Sequence, residues 1–144
     1  MTSLRIHPLI LGAAGLIPFA AFAAGIYASP VHAPLFIKGL LFYGATILAF
    51  LGGVHWGVAV TDDKGPAHLY VSGVLPQLLG FGALLAPPLA GLSLLAAGLM
   101  AMLVTDLFYM RAKCLPRWFL KLRLVLTFGA AASLCAAMPA LSYP

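Results

Sequence analysis

The chain has 144 residues and a net charge of +5; 63% of its residues are hydrophobic and only 8% are charged. A water-soluble domain carries roughly 25% charged residues, because its surface faces water. With a mean hydropathy of +1.08 in 15.0 kDa, this composition excludes a soluble globular protein, and most of the surface must face lipid.

The apolar runs are too long for barrel strands and do not alternate in polarity, so the expected class is an all-α integral membrane protein. In chain order, five transmembrane helices are predicted over 8–28, 35–60, 69–86, 89–110 and 117–138, one compact bundle over 1–144. They are separated by "SPVHAP" (29–34), "TDDKGPAH" (61–68), "APP" (86–88) and "RAKCLPR" (111–117), each punctuated by proline or glycine. Such short connections make neighbouring helices antiparallel. No internal repeat or low-complexity tail is visible.

In the first helix, Arg5 precedes an apolar run and "AFA" (21–23) has the outline of a signal cleavage site. A retained span is expected in its place, with a kink at Pro18. In the second helix, Ala45, Ala49, Gly53 and Gly57 recur every four residues, a small-residue stripe ending in GxxxG that lets another helix approach closely. Gly52 adjoins it. His55 falls on nearly the opposite side, with Gly44, Leu48 and Leu51, so this helix is expected at the centre of the bundle. Trp56 lies between the two faces and is read either as an interfacial belt residue or as the wall of a pocket. In the third helix, Pro76 removes a backbone donor and Gln77 follows it, a combination read as a polar notch or as a kink satisfied by neighbours.

The basic residues set the expected orientation. Arg5, Lys64, Arg111, Lys113, Arg117 and Lys121 fall on one side and Lys38 on the other. The N-terminus is therefore expected in the cytoplasm and the C-terminus outside. The basic side also suits anionic lipid head groups, and no aromatic-basic motif points to nucleic acid. Cys114 and Cys135 fall on opposite sides of the membrane, about 30 Å apart across mostly helical chain, too far for a disulfide. Cys135 is read as an apolar filler.

Three polar residues lie well inside the helices. His55 is six residues from the end of its helix, Asp106 five from its own, and Arg123 six from the start of the fifth, placing all three about 7–9 Å below the same surface. Ionisable groups at such depth usually face the protein interior and pair with one another. Separate readings exist for each: Arg123 snorkelling to phosphates, Asp106 wetted by interfacial water, His55 as a packing residue. A joint cluster of His55, Asp106 and Arg123 is expected instead, because pairing satisfies both charges where water is scarce.

The stretches "YGATILAFLGGVHWG" (43–57), "SGVLPQLLGFGALL" (72–85) and "DLFYMRAKCLPRWFLKLRLVLT" (106–127) resemble a bacterial inner-membrane family of unknown function, to which a mitochondrial multi-pass protein is also similar. The matching positions are Gly52, Gly53, His55, Trp56, Gly57, Pro76, Asp106, Pro116, Trp118, Arg123 and Thr127. The chain departs from the family pattern at Phe119 and near Phe81, where the pattern has tyrosine and tryptophan. The resemblance implies a fold and a bacterial inner-membrane location but no activity.

Three functions follow from these residues. The leading one is an accessory or assembly subunit of a larger, respiratory-type membrane complex, suggested by the small size and the small-residue faces. The alternative is a binding protein for a quinone, lipid or porphyrin at His55, Asp106 and Arg123, with Gln77 near by and Trp56 and Trp118 as flanking walls. A small transporter is the weakest, since no inverted repeat is visible. No hydrolytic constellation or metal-ligand spacing appears, an enzyme is not expected, and no cofactor is assigned. A bis-histidine haem would need a second histidine at depth, whereas His7, His32 and His68 lie near the membrane surfaces.

Overall fold

The computed structural model describes residues 6–61, 67–111 and 117–141. Arg5, Lys64, Lys113, Cys114 and Pro116, used above for topology and spacing, lie outside them. The helices are α1 (Ile6–Ala14), α2 (Ile17–Ala28), α3 (Ala33–Val60), α4 (Ala67–Leu85), α5 (Pro88–Arg111) and α6 (Arg117–Ala137). Among the described residues no strand occurs, and five segments are long and apolar enough to cross a membrane: His7–Ala28, Pro30–Val60, Ala67–Leu85, Pro88–Arg111 and Trp118–Leu141. The protein is an all-α, multi-pass membrane protein.

The first span is broken rather than kinked. Pro18 has no N–H to offer the Ala14 carbonyl, and its ring clashes with that carbonyl in a continuous helix. α1 accordingly ends at Ala14, and α2 restarts at Ile17 with proline in its first turn. A side chain from another span meets the break: the Tyr43 hydroxyl of α3 donates to the Gly15 carbonyl at 2.9 Å. The Tyr43 ring lies edge-on to Phe19 at 4.9 Å. A broken helix is tolerated at membrane depth where neighbouring groups satisfy the freed carbonyls in this way.

α3 sits between α2, α4 and α5. Lipid tails are as apolar as leucine, so burial of apolar surface does little to hold such helices together, and close backbone approach does more. The closest approach is at Gly52: a Cβ there would stand 2.2 Å from the Gly73 carbonyl oxygen of α4. Ala45 meets Gly80 on the same seam. On the other side, Gly44 lies under Leu95, and Gly98 lies under Leu48, which ties α3 to α5. α4 and α5 approach equally closely, since a Cβ on Gly91 would stand 2.4 Å from the Ala83 carbonyl oxygen. Phe19, Leu40, Leu48, Leu92, Leu95, Leu99 and Leu134 fill the centre.

The expected four-residue stripe on α3 is corrected here. Ala45 packs on α4 and Ala49 is half-buried, but Gly53 and Gly57 are exposed, and a Cβ at either would have no described atom within 4 Å. The seam with α4 turns slightly round the helix from that stripe, so Gly52 takes the position at the crossing. Cys135 is exposed rather than a filler of the interior.

This geometry separates two neighbouring glycines. Gly52→Ala meets backbone, which cannot rotate aside, and overpacking of this kind costs typically about 1–3 kcal/mol. Gly53→Ala meets nothing, and a change within about 0.5 kcal/mol is expected, as for other outward positions. Unfolding of both variants in the same detergent checks the contrast; equal losses would contradict the seam.

Candidate functional site

α3, α5 and α6 each deliver one polar side chain to a single buried point. His55 Nε2–H donates to Asp106 Oδ1 at 2.6 Å, and Arg123 Nε–H donates to Asp106 Oδ2 at 2.7 Å. His55 is 1% exposed and Asp106 and Arg123 are each 3% exposed, so Arg123 does not snorkel and Asp106 is not wetted by interfacial water. Both oxygens of one carboxylate are thus engaged, each by a nitrogen from a different helix. Charge-assisted contacts of this length are the strong ones.

The cluster is supported by a second layer of aromatic and hydroxyl groups. Tyr109 lies one turn beyond Asp106 on α5, and its ring meets His55 edge-on at 4.8 Å. His68 of α4 stacks on the other side of Tyr109 at 5.6 Å. The Tyr109 hydroxyl bonds the Ser72 hydroxyl at 2.8 Å, and Ser72 donates to the Leu69 carbonyl at 3.0 Å. Tyr109 thereby fixes the orientation of His55 from behind.

Among the described residues, three buried polar atoms have no hydrogen-bond partner: His55 Nδ1, Arg123 Nη2 and Thr127 Oγ1. Thr127 stands out chemically. A threonine or serine in a helix ordinarily donates to a carbonyl three or four residues back. Ser93, Thr105 and Ser133 do so at 2.8 to 2.9 Å. Thr127 is 1% exposed and its hydroxyl does not. Leaving a buried hydroxyl or guanidinium N–H unpaired costs roughly 1–3 kcal/mol or more per group.

Arg123 and Thr127 are one turn apart on α6 and both line a cavity of about 360 Å³. The remaining lining is apolar and comes from five helices, with Leu11 of α1, Phe19 of α2, Phe50 of α3, Leu99 of α5 and Trp118 of α6. Leu11 and Phe50 are exposed, so the cavity opens sideways toward lipid between α1 and α3. Along α6 it reaches from Trp118 to Ala130, about 18 Å at the helical rise and comparable with one leaflet of hydrocarbon. The volume lies at the lower end of the range for small-molecule sites, roughly 300–1,000 Å³.

A family model described as "Protein of unknown function (DUF3429)" matches residues 4–139. The chain belongs to this family. Among curated relatives, it is 34% identical over 131 residues to "Transmembrane protein 69" of Xenopus tropicalis, covering 88% of this chain and 51% of that protein. It is 32% identical over 127 residues to "Transmembrane protein 69" of Mus musculus, covering 85% of this chain and 51% of that protein. The chain thus spans about half the length of the curated relatives it matches. No solved structure matches it.

Within this family member the structure brings together three of the residues singled out by depth and sets three others apart. His55, Asp106 and Arg123 meet. Trp118 does not touch them but lines the cavity beside Arg123. Trp56 does not line this cavity: it is 44% exposed, packs edge-on against Tyr70 at 5.2 Å and lines a separate pocket with Tyr70, Val71, Val74 and Leu75. Gln77 is exposed on the outer face of α4 and has no partner among the described residues, so no polar notch forms in the interior. Its neighbour Pro76 is the buried residue, packed toward Gly52. Of the cluster, only Arg123 borders the cavity, so His55 reaches it through Asp106 alone.

Thr127 and Tyr109 carry the site without having been singled out for it by depth. Each repeats the helical spacing of a residue that was: Thr127 is four residues after Arg123, and Tyr109 three after Asp106. Projection around the helix, rather than depth, is the signal that finds them.

Two substitutions distinguish the paired atoms from the unpaired one. Asp106→Asn leaves a buried guanidinium uncompensated and is expected to cost about 3–5 kcal/mol, more than Asp106→Asn combined with Arg123→Gln. Thr127→Val removes a hydroxyl with no partner and is expected to leave stability unchanged or to raise it by up to about 1 kcal/mol in ligand-free detergent. A double-mutant cycle read by reversible unfolding checks both; a large loss on Thr127→Val would mean that its hydroxyl has a structural partner.

Proposed function

We propose that this protein binds a membrane amphiphile, entering from the lipid side, in the cavity between α1, α2, α3, α5 and α6. The observation that carries this reading is that two residues on one wall of an otherwise apolar cavity, Arg123 and Thr127, each hold a buried polar atom without a partner, Nη2 and Oγ1. An amphiphile with an oxygen acceptor at its polar end satisfies both atoms and fills the apolar length. A quinone or a lipid chain has this chemistry. A porphyrin held by His55 fits less well, because Nε2 of that ring is already bonded to Asp106 and the ring does not border the cavity.

Two further elements belong to the proposal. The location is a bacterial inner membrane, with the N-terminus in the cytoplasm and the basic side against anionic head groups; the support is the bias of Lys and Arg toward that side. The role of accessory or assembly subunit in a larger complex is the second reading. It is favoured by the open edge of α3, where Gly53 and Gly57 meet no described neighbour.

Purification from native membranes in mild detergent, followed by mass spectrometry of bound lipids and proteins, tests the two readings. A stoichiometric amphiphile that is lost in Val54→Trp, a substitution that fills the cavity wall, supports the binding reading. An unchanged amphiphile content in that variant contradicts it, and a stoichiometric partner protein with no amphiphile favours the subunit reading. For topology, a reporter active only outside the cytoplasm is expected to work at the C-terminus and to be silent between α5 and α6; the reverse pattern overturns the orientation.

A further inference from the structure

The charges around Asp106 narrow the ligand class, given the amphiphile reading on which this step rests. We propose that the cavity takes a single-chain anion, such as a long-chain carboxylate, and that one proton enters with it and is carried by His55. The chain count follows from size: about 360 Å³ beside one leaflet's length of α6 suits one chain rather than the paired chains of a phospholipid.

The head-group chemistry follows from the donors. Arg123 uses Nε on Asp106, its Nη2 is buried without a partner, and the residue itself lines the cavity. Thr127 adds a hydroxyl one turn along the same face. Two donors one helical turn apart on α6 suit the oxygens of a carboxylate or a sulfonate, an acceptor class that arginine binds well.

The proton follows from charge balance. The Asp106 carboxylate accepts from two side chains, the imidazole of His55 and the guanidinium of Arg123. With His55 neutral the cluster sums to zero, and an anion against Arg123 would be a buried, uncompensated charge, which is strongly disfavoured. With His55 as imidazolium the cluster carries one positive charge, and the anion cancels it. Since Nε2–H points to Asp106, the free lone pair of the neutral ring is on Nδ1, which is buried without a partner and is the atom that takes the proton. The groups facing His55 are Asp106 and Tyr109 on α5 and Arg123 on α6, with His68 of α4 behind Tyr109. The Tyr109 hydroxyl is engaged by Ser72 and the His68 carbonyl, so it does not compete for Nδ1. Anion and proton then assist each other's binding reciprocally.

Trp118 lines the cavity and supplies the reporter. The chain has two tryptophans, so Trp56→Phe leaves Trp118 as the sole tryptophan, excited selectively over the tyrosines. In that background, the full chain in zwitterionic nanodiscs is titrated with a nitroxide-labelled alkyl sulfonate, whose charge is fixed between about pH 6 and about pH 8, the range in which histidine charge changes. A nitroxide-labelled methyl ester of equal length is the neutral probe. Saturable quenching is expected from both, with sulfonate affinity rising by up to about tenfold per unit of falling pH, the slope for one linked proton. Ester affinity is expected to stay constant. His55→Gln removes the pH slope, and Thr127→Val, which deletes only a hydroxyl, weakens the sulfonate about tenfold, one hydrogen bond to a charged group. Saturable sulfonate binding without a pH slope, or with a slope that survives His55→Gln, overturns this inference and leaves the cavity reading in place. Saturable quenching by neither probe overturns both.

Discussion

Asp106 holds the bundle's polar interior together, because its two oxygens are the acceptors on which His55 of α3 and Arg123 of α6 converge. In a lipid-facing protein a charged group at that depth has no water to fall back on, and its cost is offset only when every partner is in place. One carboxylate engaged from two sides fixes the relative rotation of three helices. It also explains why His55 and Arg123 are tolerated at all: each would be a buried orphan without the third group. Tyr109 then covers the imidazole from α5, and His68 of α4 stacks on Tyr109.

The same clasp prepares a binding surface. Arg123 is committed to Asp106 through one nitrogen, which immobilises a side chain that also lines the neighbouring cavity. A clasp whose only purpose was to lock helices would gain more by engaging the fork fully. The unbonded Thr127 hydroxyl one turn away repeats the pattern, since the ordinary helical back-bond was open to it. The cavity owes its shape to a separate cause. Pro18 breaks the first span, and residues on both sides of the break, Leu11, Gly15 and Phe19 among them, line the cavity beside the exposed Leu11 and Phe50.

Depth was legible in the sequence, and direction around each helix was legible only in part. Counting residues from the helix ends put His55, Asp106 and Arg123 at one level, and burial cost alone argued that they pair. Trp56 and Gln77 share the depth or neighbourhood of important residues but sit about 100° round the helix from His55 and Pro76, which turns each of them outward. The small-residue stripe failed at Gly53 and Gly57 for a related reason: a repeat of small residues says that a face can accept a close neighbour, not that one is present, and the actual crossing uses Gly52. The cavity was not legible, because it depends on the distances among five helices and on the exact point at which the first span breaks. The kink expected at Pro18 was the nearest hint of it.

The central claim is that Arg123 and Thr127 form the polar end of an amphiphile site. A high-resolution structure of the full chain purified in native-lipid nanodiscs tests this most directly. The account predicts an elongated, non-protein feature in the cavity beside Trp118, with its polar end within hydrogen-bond distance of Arg123 Nη2 and Thr127 Oγ1. A cavity closed by side chains, with Thr127 bonded to the Arg123 carbonyl and both guanidinium edges engaged by protein, would contradict it.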